Sequence, residues 1–589
     1  MKKSWFIILS ALFASLHVLA QSSILIPEIV NFSKKTYEAG NQNRSVDQDR
    51  RGLLYFANDD GLLVFDGTYW KTYSLPNGSI VRSLKVIGDR IYVGGQQEIG
   101  YFYFDSAGLL TYQSLKQLIP RDETEFADVW NVVAFQDDVF FRSNKRIFRF
   151  HDGKVTAFLS INWGFLGACN GLLIAQEYDK GLMVFRNQRW QALPSGYDFS
   201  KDKSSIRSVC EFGPHRTLMT SLKSGIYSIE GETVHRLESP AINAITAQLV
   251  HAAFAIDTDR IVIATRLDGY YIINSKGEIV QHVTKSDGLQ SNTVNTVYAD
   301  KEKNIWLGLN NGIDLVIYNS AISHLNPDND KKGPGYSAAL FKDRLFVGTG
   351  IGLYSIPIGA DDNLLGLRGG FTPVNNGNGL VWGLSVVNDE LLVGRHDGAY
   401  LVGNNNCVPL DTSTGFWFFQ PLTAQQPCPR VIAGTYNGIN VYNYVNGRFQ
   451  NHKSHTSFEA AKYTVVEGSD IWVAHPYQGL YKISFNDTGG PVHKPYDDIH
   501  HILSSGHNYL FKIHDKIVLG LEKRFLRIRP PDRRLQGIHS SEKAFRTRQH
   551  LLPARGYGGE YLVCGRQKAR RHRHFGSRSP RSHLFFRTQ

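Results

Sequence analysis

Residues 305–316, IWLGLNNGIDLV, hold the phrase whose reading settles the architecture. An aliphatic and aromatic run leads to a small residue, a few polar residues follow, and a glycine then opens a second apolar run. Two short strands around a tight turn fit this pattern, because the glycine can take a positive φ without a Cβ clash. The phrase recurs as LLYFANDDGLLVFDG, IYVGGQQEIGYFYFD, LLIAQEYDKGLMVF, TLMTSLKSGIYSIEG, IVIATRLDGYYIINSKG, LFVGTGIGLYSI, LLVGRHDGAYLV, VIAGTYNGINVYN and IWVAHPYQGLYKI. The marker glycines are Gly61, Gly100, Gly181, Gly225, Gly269, Gly312, Gly352, Gly398, Gly438 and Gly479, with gaps of 39, 81, 44, 44, 43, 40, 46, 40 and 41. The gap of 81 hides a degenerate copy, VFFRSNKRIFRFHDGK, that lacks the glycine.

Each period leaves room for two more strands beside the hairpin. Four short strands in roughly 40 to 45 residues is the period of a β-propeller blade, whereas the coils of a parallel β-solenoid are shorter. The chain is therefore expected to be all-β, with two consecutive propellers of four-stranded blades. Seven units run from Gly61 to Gly312; a polar break, LNPDNDKKGPG, occupies residues 325–335; five further units follow. The expected layout is a signal peptide over 1–20, a lead-in over 21–42 and a seven-bladed propeller over 43–324. A linker over 325–335 and an incomplete second propeller over 336–523, of about five blades, come next. A basic tail over 524–589 ends the chain. An unclosed second propeller is expected to fray, since closure is what hides the sheet edges of this fold.

The stretch DGLQSNTVNTVYADKEKNIWLGLNNGIDLV, residues 287–316, resembles the repeat of the two-component-regulator propeller family. That repeat places a D-G-L phrase before V-x-x-x-x-x-D and G-x-I-W-x-G-x-x-x-G. SVDQDRRGLLYFANDDGLLVFDGTYW is similar to a first blade of the same family. The resemblance spans roughly residues 40 to 523 on the recurring spacing. It implies a sensor with two seven-bladed propellers in the periplasm, a small β-sandwich with three tyrosines, a membrane span, and a histidine kinase or helix-turn-helix output. None of the last three parts can be read in this sequence.

The ends of the chain carry separate messages. MKKSWFIILSALFASLHVLAQS has two lysines, a short apolar run and small or apolar residues at Val18 and Ala20, the pattern of a cleaved signal peptide. The mature protein is thus expected in the periplasm, or secreted, with no membrane span remaining after cleavage. The formal net charge of +12 is misleading, because residues 524–589 carry +14 and residues 1–523 carry −2. A neutral body gives no reason to expect a nucleic-acid partner. Five widely spaced cysteines exclude a C-x-x-C metal site; Cys407 and Cys428 could pair in an oxidising compartment or stay as buried thiols.

The tail begins where the repeat fails. In DKIVLGLEKR the slot four residues after Gly520 holds Arg524 in place of the marker glycine. Back-translating the tail and dropping one base at codon 524 yields G-F-Y-V-Y-D-P-R-T-G-D, and later G-N-I-W-F-V-A-G, both phrases of the repeat. Residues 524–589 thus read as a frameshift product, with an RNA-binding arm as the alternative.

Aligning the units exposes a variable position just ahead of the first strand of a blade. It is Arg44, Arg82, Trp130, Arg207, Asn295 and Trp382 in NRSV, VRSL, VWNV, IRSV, VNTV and VWGL. The innermost strand of a blade lines the central channel, so these side chains should ring a channel mouth. Arginine and tryptophan together suit an oligosaccharide or an anionic glycan fragment; the competing reading is that they cap strand ends. The glycines of VGTGIGLYS lack a following helix and do not form a phosphate loop. DNDKKG at 328–333 has Lys332 where a calcium ligand is needed. His500, His501, His507 and His514 near Asp497 and Asp498 lack the helical spacing of a metal site. Trp306 and Trp472 belong to the repeat core. No G-x-S-x-G, H-E-x-x-H or catalytic dyad is found, and no catalytic residue, cofactor or metal is expected. The sequence thus points to a non-enzymatic periplasmic sensor, carbohydrate-responsive and able to form a homodimer, without its span and output. A secreted propeller enzyme acting on glycans and a protein-interaction scaffold are the alternatives.

Sequencing the gene across codons 515 to 590 and beyond tests the tail. One displaced base near codon 524, with further repeat phrases in the restored frame, is the expected result. An intact frame would make the basic tail genuine.

Overall fold

The computed structural model describes residues 25–193, 197–201, 204–213, 216–320, 323–325, 327, 333–358, 370–455, 460–468, 470–475, 479–486, 491–495, 508–513, 516–520, 525–528, 535–537, 561–564 and 584–587. The signal segment, the calcium-like loop at 328–332, and the histidine group with its two aspartates at 497–514 lie outside them. The chain divides into two compact units, Met1–Ser323 and His324–Gln589.

In the first unit the chain folds into seven antiparallel sheets. Their innermost strands are Asn43–Gln48, Val81–Ile87, Asn131–Phe135, Trp163–Cys169, Ile206–Glu211, Val250–Ala255 and Val294–Ala299. Each adjoins the next in order, and the seventh adjoins the first. The second strand of each sheet is buried over five consecutive residues, as in Leu54–Asn58 and Ile305–Leu309. Both of its faces pack on neighbouring sheets: Tyr55, Ala57 and Leu62 of the first sheet meet Val81, Val93 and Phe102 of the second. That two-sided burial is why the repeat reads as an unbroken apolar run rather than an alternating one.

The marker glycines do what the turn requires. Gly269 has φ +66, and a Cβ there would lie 2.1 Å from the Val283 carbonyl oxygen, so no other residue fits without moving backbone. The copy that lacks a glycine still makes its hairpin, between Asp138–Arg142 and Arg146–His151, with the Ser143 amide donating to the Arg146 carbonyl at 2.8 Å.

Leu25–Phe32, within the expected lead-in, is the fourth strand of the seventh sheet, antiparallel to Gly312–Ile317 with Phe32 opposite Ile313. The last sheet is therefore assembled from both ends of the unit. An aromatic group closes this seam. Phe32 stacks on Trp306 at 5.9 Å and meets Trp70 edge-on at 5.2 Å, while Phe65 stacks on Trp70 at 4.3 Å. Polar bonds reinforce it. Lys301 Nζ donates to the carbonyls of Asp49 and Arg50 at 2.7 and 2.8 Å, and Asn31 Nδ2 donates to Asp314 Oδ1 at 2.7 Å.

The second unit has innermost strands Gly335–Phe341, Val381–Val387, Phe416–Pro421, Tyr463–Glu467 and Tyr509–Ile513, each leading a four-stranded set. The G-T-G-I-G segment is the hairpin turn between Arg344–Thr349 and Gly352–Pro357. Phe525–Ile528 pairs with Lys516–Gly520, Gly520 opposite Phe525, so strand pairing continues past Arg524 although the glycine of the repeat is missing. Cys407 and Cys428 are free, buried thiols and form no disulfide. They sit in different cores: Cys407 packs with Phe346 and Val393, while Cys428 lies with Phe419 and Val431 and donates from Sγ to the Arg430 carbonyl. Trp306 and Trp472 are buried core residues. Among the described residues no helix is long and apolar enough to cross a membrane.

The seam is open to a direct test. Trp306→Ala should destabilise the first unit by about 3–5 kcal/mol, the usual cost of emptying a buried aromatic site. Deleting residues 25–32 should remove its cooperative urea transition altogether. An unchanged transition after that deletion would show that the ring closes without the strand.

Candidate functional site

Antiparallel pairing places the start of each innermost strand beside the turn between the second and third strands of its sheet, as with Asn43 opposite Asn58. At that end the register of the innermost strand slips by one residue. The slip falls between Val81 and Ser83, Trp163 and Phe165, Ile206 and Ser208, Val250 and Ala252, and Val294 and Thr296. The skipped residues are Arg82, Gly164, Arg207, His251 and Asn295; the first sheet slips over Arg44 and Ser45. A β-bulge frees one residue from the ladder and re-aims its side chain. In the third sheet Trp130 holds the same place just ahead of Asn131–Phe135, its amide donating to the Arg142 carbonyl at 2.8 Å.

Five of the six residues singled out from the sequence thus belong to one ring of the first unit. The Trp130 indole lies under two guanidiniums, Arg82 at 5.0 Å and Arg44 at 6.0 Å from the ring centre. Arg82 is also flanked by Asp128 at 3.3 Å and Asp59 at 3.9 Å. Arg44 contacts Gln42 Oε1, and its buried Nε has no acceptor among the described residues. On the other side of the ring Arg207 donates to His251 Nε2, and His251 Nδ1 donates to the Asn295 carbonyl at 2.7 Å. The sixth residue, Trp382, occupies the equivalent bulge of the second unit, between Val381 and Gly383, and is not part of this ring.

The electrostatics follow from crowding cations. Burial lowers the Arg44 guanidinium below its ordinary range, and Arg82 lowers it further against the opposing pull of Asp59 and Asp128. Burial also lowers Arg207, helped by Arg266 and Arg44. Arg142, fully buried behind the ring, is pulled down to about 9 chiefly by desolvation; its Nε donates to Asn131 and its Nη1 to the Trp163 carbonyl, both at 2.7 Å. His251 is brought down to about 3 by burial first and the Arg207 charge second. The imidazole is therefore neutral, with both nitrogens engaged. The guanidiniums of Arg44, Arg82, Arg207 and Arg266 lie close enough to act on one another, with Asp59 and Asp128 beside Arg82, a cluster of cations that favours an anion.

Sequence alignment missed His251 in LVHAAF and Gly164 in NWGFL, although both sit in the same phrase. Gly164 was invisible because it contributes no side chain: a Cβ there would lie 2.8 Å from the Tyr178 ring, which fills that space instead. Arg266 and Tyr178 come from turns after the second strands, outside the aligned position. In the second unit Tyr336 and Trp417 occupy the same bulges as Trp382. Among the described residues no cluster of histidine, cysteine or acidic side chains could hold a metal ion.

Residues 288–311 match a family model described as two component regulator propeller. Among solved structures, an extracellular domain of a hybrid two-component system from B. thetaiotaomicron is similar at 14% identity and a TM-score of 0.60, covering 91% of this chain and 76% of that one. A second such domain from the same organism is 16% identical, with a TM-score of 0.41 and coverage of 87% and 73%. A streptogramin B lyase is 14% identical with a TM-score of 0.41, covering 50% of this chain and 98% of that one. No curated protein matches the chain.

The His251 environment carries a pH signature. Imidazole in the unfolded chain takes up its proton near 6.5, while His251 stays neutral in the folded protein down to about pH 3. The unfolded state binds more protons across that window, so stability falls as pH drops from 6.5 toward 3. His251→Asn should flatten the decline of the urea midpoint between pH 7 and pH 4.5. Parallel pH profiles for the two proteins would remove His251 as the cause.

Proposed function

We propose, from the match of residues 288–311 to the two component regulator propeller model and from the recurrence of that phrase along the chain, that it is the periplasmic ligand-sensing region of a transmembrane signal-transduction regulator. The cationic ring of the first unit takes the ligand, an anionic glycan fragment. The observation that carries this is the convergence of Arg44, Arg82, Arg207 and Arg266 on one end of the ring, with the Trp130 face between two of them. Guanidiniums supply paired donors to carboxylate or sulfate, and an indole supplies a flat apolar surface for a sugar ring. Ligand bound across several sheets would change how they pack against one another, and pairing of two copies would carry that change toward the membrane. The first unit acts in this reading as a closed seven-bladed propeller.

The glycan-enzyme alternative needs two carboxylates facing a scissile bond. Asp59 and Asp128 instead flank the single guanidinium of Arg82, and His251 has no free nitrogen to act as a base. Both features favour binding over catalysis.

Calorimetric titration of the full chain with oligogalacturonate and with heparin-derived oligosaccharides tests the reading. Binding that weakens with added salt is expected. Arg82→Ala and Arg207→Ala should each cut affinity at least tenfold, since a hydrogen bond to a charged group contributes roughly 1.5–3 kcal/mol. Absence of anion binding, or equal binding by both variants, overturns it.

A further inference from the structure

A cavity of about 510 Å³ opens at the other end of the first unit and is lined by residues of its first and second sheets. Its volume falls within the ~300–1,000 Å³ of small-ligand sites. Strands Asn43–Gln48 and Val81–Ile87 start at the cationic ring and run toward the cavity rim, so the two places lie roughly 20 Å apart at about 3.3 Å per residue.

The turn after the first of these strands is braced. Asp49 Oδ1 accepts from the amides of Arg51 and Leu53 at 2.9 and 3.0 Å, and Oδ2 accepts from Arg51 Nε at 2.9 Å, Arg51 Nη2 at 2.8 Å and the buried Tyr55 hydroxyl at 3.1 Å. In the seventh sheet the equivalent carboxylate, Asp300, accepts from the Asn304 amide and the Trp306 indole, and so anchors only its turn and the core ring. The first sheet uses the same device to fix a cation. The Arg51 guanidinium lies 4.2 Å from the Phe104 ring centre, while its side chain stays 57% exposed.

Arg90, from the second sheet, is placed in a similar way. Its guanidinium lies 4.5 Å from the Tyr101 ring centre, and a single N–H donates to the Tyr92 hydroxyl at 3.4 Å. Among the described residues neither Arg90 nor Arg50, which also lines the cavity, forms an ion pair. The lining carboxylates are Asp49, spent on Arg51 and the turn, and Asp89, exposed on the turn before Arg90. Two uncommitted guanidiniums thus stand against one solvated carboxylate, beside a third guanidinium that is flat and held in place.

We infer that this cavity is a second binding site, which takes a small carboxylate with a flat apolar body, an aromatic acid. Arg90 donates paired N–H groups to the carboxylate and Arg50 adds charge, while the flat body stacks on the open face of the Arg51 guanidinium and lies against the partly open Tyr103 ring. A site braced before its ligand arrives loses little freedom on binding. It differs in place from the cationic ring, and the inference does not rest on the ligand proposed there.

The test is calorimetric titration of the full chain with cinnamate, with the uncharged cinnamamide and with acetate. Cinnamate should bind. The amide, for want of charge, and acetate, for want of a flat body, should each bind at least tenfold more weakly. Arg90→Ala should weaken cinnamate at least tenfold and, because Arg90 is exposed, should keep the parent's urea transition. The Arg82→Ala, Arg207→Ala double variant should bind cinnamate as the parent does, which separates this site from the ring. No binding of cinnamate, equal binding of acid and amide, unchanged affinity in Arg90→Ala, or loss in the double variant overturns the inference; oligosaccharide binding to the ring is read in its own titration.

Discussion

Everything in the first unit depends on one pairing, that of Leu25–Phe32 with Gly312–Ile317. Seven sheets arranged around an axis have no favourable end. Each buries both faces only if a neighbour stands on either side, and a ring left open would expose two apolar faces and their strand edges to water. The pairing removes both ends at once by making the seventh sheet from the two termini of the unit. Phe32, Trp70 and Trp306 then fill the joint with aromatic surface, and Lys301 ties the carbonyls after Gln48 across it.

A second backbone device opens positions to chemistry. In six of the seven sheets of the first unit a bulge near the head of the innermost strand takes a residue out of the ladder, and in the third sheet Trp130 stands just ahead of the strand. The first unit fills these places with arginine, tryptophan, histidine and asparagine, the second with tyrosine and tryptophan. One backbone device thus carries a cationic ring in the first unit and aromatic side chains in the second.

Much of this is legible in the sequence, for physical reasons that also mark where legibility stops. The second strands are buried on both faces, so IWLGL or LLIAQ announces itself as an apolar run, and the left-handed turn after it demands glycine. Those two constraints make the all-β propeller fold legible. Arg44, Arg82, Arg207 and Asn295 were readable because Val or Ile anchors the phrase around them. His251 stands in the same phrase, LVHAAF, and is legible in the same way. Gly164 could not be found, since its function is to leave room for Tyr178. The role of Leu25–Phe32 is hidden for another reason: most of its residues are only partly buried, its apolar pattern is weak, and its partner lies nearly three hundred residues downstream. A cysteine pairing across residues 407 and 428 looked open on spacing alone, and fails because the two thiols serve different inter-sheet cores.

The late partner of Leu25–Phe32 also sets the order in which the unit can form. The other strands of the first six sheets pair with one made moments earlier, but this one must wait until the chain has been completed through Ile317. Contacts of such long sequence separation are slow, because the loop between them has to be closed before the pairing stabilises anything. During that interval the nascent chain carries an unpaired apolar strand at its front and a row of sheets with an unsatisfied edge behind it, a state prone to pairing with other chains. The joint that makes the finished ring durable is also its slowest and most exposed step of assembly, so the burden of escorting this protein falls on the time between its first strand and its last.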